Sequence, residues 1–321
     1  SSPEDDYVDH YVGINTHNEF TSRSRFDFDI NYFDSHYMRG FFLNTDTINP
    51  ILGIPSPIQY HLINTKAKYT YGNIGAKSNM DLLMNIADYT FDNFSNLTAP
   101  QNRTSPSITL GFNYRVFPNT TLRTELENTW TLHSDSKAAD FDNSKHNFIF
   151  GGTWQYSKQF QTNLKLGYLH LGLNNGASNS IEYNDVTWNA NLLWSPFTYS
   201  RLSLNAARNA AISVNSANVR TFDRFLVNWT HDWSNRLTTV INTSYESASN
   251  LSINRNDNFL SVLFDLNYGV RRWLGFGINY TYRQLNSDDR LLDFNQNTIL
   301  FYVTANPRLS DDVKTPWITW Y

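Results

Sequence analysis

Fifteen charged residues fall at alternating positions along extended stretches of this sequence: Arg25, Asp27, Asp29, Lys66, Lys68, Arg115, Arg123, Glu125, Glu127, Lys165, Arg201, Arg224, Glu246, Asp265 and Arg283. Nine are basic and six acidic. In each stretch they interleave with apolar positions and share their own side with Asn and Ser. Charges cannot face lipid cheaply, so in a membrane protein such a face must turn inward or lie near a rim. Two roles fit it. One is a self-paired polar network that fills and stiffens an interior. The other is a wet, slightly basic wall whose many weak contacts exchange hydrogen bonds with a hydroxyl-rich chain and let it slide without trapping it.

Residue types for covalent or metal chemistry are present but not arranged for it. The eight His include no His-Glu-x-x-His pair, so zinc hydrolysis has no support. No Gly-x-Ser-x-Gly elbow accompanies the many Ser and His, and no enzyme activity is expected. Asp135, Asp140 and Asp142 share a polar stretch that could bind calcium, but the Gly and closing Glu of a calcium loop are missing, so no metal and no cofactor is expected. The absence of Cys removes disulfides and thiolate ligands and suits a protein that crosses an oxidising periplasm. A net charge of -4 without a Lys/Arg cluster gives no pull towards nucleic acid.

The elements that must position the charged face are extended. In Ile108–Val116, Ile108, Leu110, Phe112, Tyr114 and Val116 share one face and Thr109, Gly111, Asn113 and Arg115 the other, a period of two. After Pro118-Asn119-Thr120 the next stretch sets Leu122, Leu126, Trp130 and Leu132 against Arg123, Glu125 and Glu127. The same alternation recurs to Ala305, and Phe26/Phe28/Ile30/Tyr32 against Arg25/Asp27/Asp29 begins it. Tight connections are read at Phe117–Thr120, Ser157–Gln159, Ser195–Thr198, His231–Asn235 and Arg271–Trp273, and long polar ones at Asn44–Pro57, Ser134–Lys145 and Asn174–Asn184. This is the meander of an up-and-down antiparallel sheet.

Aromatic residues make up 16% of the chain, yet mean hydropathy is -0.49. A transmembrane β-barrel reconciles the two, because lipid-facing side chains alternate with polar ones and rings gather at both interfaces. Trp154, Trp188, Trp194, Tyr199, Trp229, Trp233, Trp273, Tyr280 and Tyr282 are the rings expected at the headgroups. No stretch approaches the roughly 18 consecutive apolar residues of a membrane helix. The fold class is therefore all-β, a single transmembrane up-and-down antiparallel barrel over 1–321. About 16 strands are expected, within 14–18, with 1–18 and 307–321 as candidate terminal extensions; counting 16 requires Tyr7–His17 and Val313–Tyr321 as strands. The opening Ser1–Asp6 lacks a basic stretch followed by an apolar run, as expected once a signal peptide has been removed.

From Gly151 to Thr304 the chain resembles the "putative β-barrel porin 2" family. The resemblance is carried by Gly152-Thr-Trp154, Leu164-Lys-Leu-Gly-Tyr168, Val186-Thr-Trp188, Trp194-Ser-Pro-Phe-Thr-Tyr-Ser200, Trp229-Thr-His-Asp-Trp-Ser234, Leu266-Asn-Tyr268, Arg271-Arg-Trp-Leu274 and Asn279-Tyr-Thr-Tyr282. It implies a multi-pass protein of a Gram-negative outer membrane that passes an exopolysaccharide or capsular polysaccharide. The implied partners are the polysaccharide, a periplasmic polysaccharide-export protein, the barrel-assembly machinery, and the lipid and lipopolysaccharide of that membrane. A general diffusion porin and a filled structural or adhesive barrel are the alternatives.

Overall fold

The computed structural model describes residues 8–37, 57–73, 75–134, 142–175, 179–212, 219–251 and 254–305. Alternation becomes fifteen strands: β1 (His10–Thr21), β2 (Ser24–Tyr37), β3 (Ile58–Tyr71), β4 (Ser78–Phe91), β5 (Arg103–Phe117), β6 (Thr120–His133), β7 (Asn143–Gln155), β8 (Phe160–Asn175), β9 (Asn179–Phe197), β10 (Ser200–Ile212), β11 (Val219–Asp232), β12 (Leu237–Asn250), β13 (Arg255–Arg271), β14 (Leu274–Ser287) and β15 (Phe294–Ala305). They form one antiparallel sheet in chain order. The helical content of the described residues is a four-residue turn, α1 (Ser95–Thr98), and two three-residue 3-10 turns.

Every connection from an odd strand to the next lies at one end of the sheet and is short; we call it the turn end. The opposite, loop end carries the longest connections, β2–β3, β4–β5 and β6–β7. Fifteen strands are described against the sixteen expected, because Val313–Tyr321 lies outside the described residues, as does nearly all of the Asn44–Pro57 loop. Two connections are shorter than their composition suggests. Of the polar stretch Asn174–Asn184, most is strand: β8 runs to Asn175 and β9 starts at Asn179. Similarly β7 starts at Asn143, inside the loop read from Ser134 to Lys145. The turn at Ser195–Thr198 contracts to Thr198–Tyr199. Pro196 remains in β9 at a register shift, where Ser200 faces Phe197 but Leu202 faces Trp194, a bulge that tolerates a residue without an N–H.

Burial tells the two faces apart. Apolar-face side chains splay into the surroundings: Phe148, Phe150, Leu164, Leu166 and Tyr168 are 48–60% exposed. Polar-face side chains crowd one another, so that Asp81, Glu125, Asn147 and Thr187 are buried. Crowding on one side and splaying on the other is what curvature towards the polar face produces, and that face is called inner below. β1 and β15 each pair with one neighbour, β2 and β14, and are the edges of the described sheet; β1 is exposed along its whole length.

Glycines on the inner face make room for long polar side chains. At Gly277 an added Cβ would collide with the Tyr302 ring, and at Gly111 with the Arg123 guanidinium and the Asp81 carboxylate. Gly277→Ala is therefore expected to push Tyr302 off its partner Asp265 and lower stability by about 1–3 kcal/mol. Urea unfolding in detergent micelles reads this; an unchanged midpoint would show that the ring has space to move.

Candidate functional site: the polar inner wall

The strand register places all fifteen predicted wall residues on the inner face, in separate clusters rather than one centre. On β2 and β3, Asp27 stands opposite Lys68 and Asp29 opposite Lys66. His17 on β1 faces Asp27, its Nδ1 2.5 Å from the carboxylate. These residues with Asn15, Thr16 and Leu83 line a cavity of about 440 Å³. Arg25 reaches the Gly72 carbonyl at 3.4 Å. His17 escaped the sequence reading because β1 alternates weakly.

The densest cluster centres on Arg123. Its guanidinium donates to both oxygens of Asp81, at 2.7 and 2.8 Å, to Asn113 at 3.1 Å, and to Glu125. Lys165 then donates to the two oxygens of Glu125 at 3.2 and 3.1 Å. Four charges thus alternate in sign across β4, β6 and β8, a geometry in which each buried carboxylate has a fixed cationic partner. Asp81 was missed from sequence. It lies 42 residues from its partner on a strand whose inner side also carries Leu83, so the alternation of β4 is blurred.

A third cluster joins Arg220 and Arg224 to Glu246, at 3.3 and 2.5 Å; Arg220 was also missed. In the fourth, the Tyr302 hydroxyl donates to Asp265 at 2.9 Å, with Asn267 and Asn279 alongside. The remaining members stand apart. Arg115 donates to the Gly75 carbonyl at 2.7 Å, and Arg201 lies 4.0 Å from Asp232 at the turn end. Glu127 is opposite Thr109 and Asn147, and Arg283 opposite Ser261 and Gln296.

Between the charged clusters the inner face is carpeted with amides. Asn163 faces Asn191, which faces Asn205, and Asn228 faces Asn242. Asn205 donates to Asn191, Asn191 to Asn189, and Asn228 to Asn242; Asn163 donates to Thr153 at 2.8 Å. An amide carries two donor hydrogens and an acceptor oxygen with two lone pairs, so each retains capacity beyond these bonds. Among the described residues the wall offers hydrogen bonds and charge in many places and gathers no group of three His, Asp or Glu that could hold a metal ion.

On the apolar face, six of the nine predicted rings sit at the turn end. Trp154, Trp194 and Trp229 close their strands, and Tyr199, Trp233 and Trp273 lie in the connections. Several pack together: His231 is 4.3 Å from Trp233 and 5.4 Å from Tyr199 between ring centroids, and the Trp229 and Trp233 indoles donate to Ser200 and Thr239. Trp188, Tyr280 and Tyr282 lie further along their strands, on the same face.

The family model described as "Putative beta-barrel porin 2" matches residues 47–306, most of the chain. The chain belongs to the β-barrel porin 2 family. None of the curated proteins matches it. Among solved structures, the chain is similar to the FrpB iron transporter of Neisseria meningitidis, with a TM-score of 0.56 at 9% identity, covering 87% of this chain and 51% of that one. It is also similar to the copper transporter OprC, with a TM-score of 0.55 at 9% identity, covering 93% and 58%. The chain spans little more than half the length of these proteins, and at such identity the likeness is one of fold. The family match extends the resemblance read from Gly151–Thr304 back through β3, where the sequence motifs are faint.

Proposed function

We propose that this β-barrel porin 2 protein is an outer-membrane channel of a Gram-negative bacterium through which an exopolysaccharide leaves the cell, received from a periplasmic polysaccharide-export partner. The amide carpet carries the reading. Hydroxyl-rich chains exchange hydrogen bonds readily with amides, and the charges round Arg123 and Glu246 are paired with one another, so many weak contacts rather than one firm site meet the chain. Placement in a membrane is supported by the large apolar side chains exposed on the outer face. It is supported also by a second set of rings, Tyr32, Tyr168, Trp188, Tyr245 and Tyr282, about nine or ten residues in from the turn end. Tilted strands carry that separation roughly 20–25 Å, the height of the apolar band of an outer-membrane barrel.

Deletion of the gene is expected to trap polymer in the periplasm while synthesis continues; normal surface polysaccharide in the deletion strain overturns the export role. Planar-bilayer conductance separates export from general diffusion: a permanently open, highly conducting pore favours the porin. The same apparatus tests the wall. Among the described residues Lys66 and Lys68 make no hydrogen bond or ion pair, so replacing both with Gln leaves Asp27 and Asp29 dominant. The reversal potential in a salt gradient is expected to move towards cation selectivity, and an unmoved potential would place these residues off the ion path.

A further inference from the structure

One seam of the wall is built differently from the rest. The ladder between β9 and β10 ends at the rung Arg208–Trp188, although β10 continues to Ile212 and stays paired with β11, and β9 continues to Asn179 and stays paired with β8. Above that rung the two hairpins overlap. Leu169, Leu171 and Tyr183 belong to the inner face of β8–β9, whereas Ala210, Ile212 and Val219 belong to the outer face of β10–β11. These six nevertheless pack into one cluster. The β8–β9 hairpin therefore lies over the outside of β10–β11 at the loop end, like one board lapped over the next.

The lap is closed in two ways. Leu169, Leu171, Ala210 and Val219 are each at most 5% exposed, in a protein whose other strands bury few apolar side chains. At the lower edge, Arg208 on the outer face of β10 donates to Asp223 beside it at 2.9 Å and to Asp185 of the overlying β9 at 3.3 Å, and Tyr183 donates to the same Asp185 at 3.0 Å. Along the overlap the ladder that elsewhere joins neighbouring strands is missing, so parting the hairpins breaks no β-ladder. It costs the apolar contact and one ionic bridge. Directly below, the paired part of the seam carries an apolar outer groove of about 380 Å³ with Ala190, Ala206, Leu164, Leu192, Leu204 and Phe225 in its lining.

We propose that the β9–β10 seam is a lateral portal: the β8–β9 hairpin swings off β10–β11 and joins the polar interior to the apolar outer groove, with the Asp185–Arg208–Asp223 bridge as its latch. An opening of this kind passes a molecule sideways into the membrane, a route that an end-to-end channel does not provide. The test uses the absence of native Cys. Ala210→Cys is made in the full chain, folded in proteoliposomes, and exposed to a membrane-impermeant maleimide, with the exposed loop-end position Leu251→Cys as the fully reactive control. The expected result is slow modification of the Ala210→Cys protein under native conditions, at least about tenfold faster with Arg208→Gln added. Modification of the Ala210→Cys protein only after denaturation, while the control reacts fully, overturns the portal. Should the Arg208→Gln protein fail to fold, as judged by heat-modifiable migration, the single Ala210→Cys protein decides.

Discussion

Replacing Arg123 with Ala is expected to be the most damaging single change on the inner wall, lowering stability by about 2–4 kcal/mol. The guanidinium satisfies both oxygens of Asp81 and one of Glu125, and both carboxylates are buried. Its removal leaves Asp81 with only the more distant Lys68 and Glu125 with Lys165 alone, weaker compensation for two buried carboxylates in a crowded part of the wall. The large figure applies because the acids stay in place. Removing the whole cluster, with Arg123→Met, Asp81→Asn, Glu125→Gln and Lys165→Met together, is expected to recover much of the loss, since what costs most is the orphaned charge. Urea unfolding in detergent, with midpoints compared at constant slope, measures both. A single mutant as stable as the parent would mean that water enters freely and solvates the acids, and that the network contributes little rigidity.

A charge introduced on the outer face is expected to cost a similar amount for a different reason. Leu166 on β8 is 60% exposed and stands midway along its strand between the inner-facing Lys165 and Gly167. Leu166→Arg should reduce the free energy of folding into lipid bilayers by about 2–4 kcal/mol, the cost of an arginine near the bilayer midplane of a barrel. Ser203→Arg on the inner face of β10, beside Asn228 and Leu193, should cost far less because water reaches it. The contrast between the two is the measurement. Equal costs would mean that the exposed apolar face meets something other than lipid, and the membrane placement would fall with it.

Much of this architecture was legible because alternation is a strong signal where one side meets lipid and the other water. Ile108–Val116 and Leu122–Leu132 became β5 and β6 with the alternation expected, and the strand register sets the fifteen charged residues on one face of the sheet. What sequence could not show was partnership. Arg123 and Asp81 meet only because β4 and β6 flank β5, a fact of sheet order and register that no local pattern contains. Composition also misled at the loop end, where Asn174–Asn184 looks like a loop but is mostly a hairpin. The most informative miss is the lapped seam. Arg208 and Asp223 fall at positions that alternation assigns to the outer face, and charges there contradict the rule that read the rest of the chain. That contradiction was visible in the sequence; its resolution needed the overlying hairpin and Asp185.

The two margins of the sheet share one heading. Fifteen staves laid in alternating sense leave the first and the last, β1 and β15, both running from the loop rim to the turn rim. Such margins cannot mate with each other in the antiparallel manner used at every other joint. A ring made from these staves alone needs one co-directional joint, and an all-antiparallel ring needs one more stave running the opposite way.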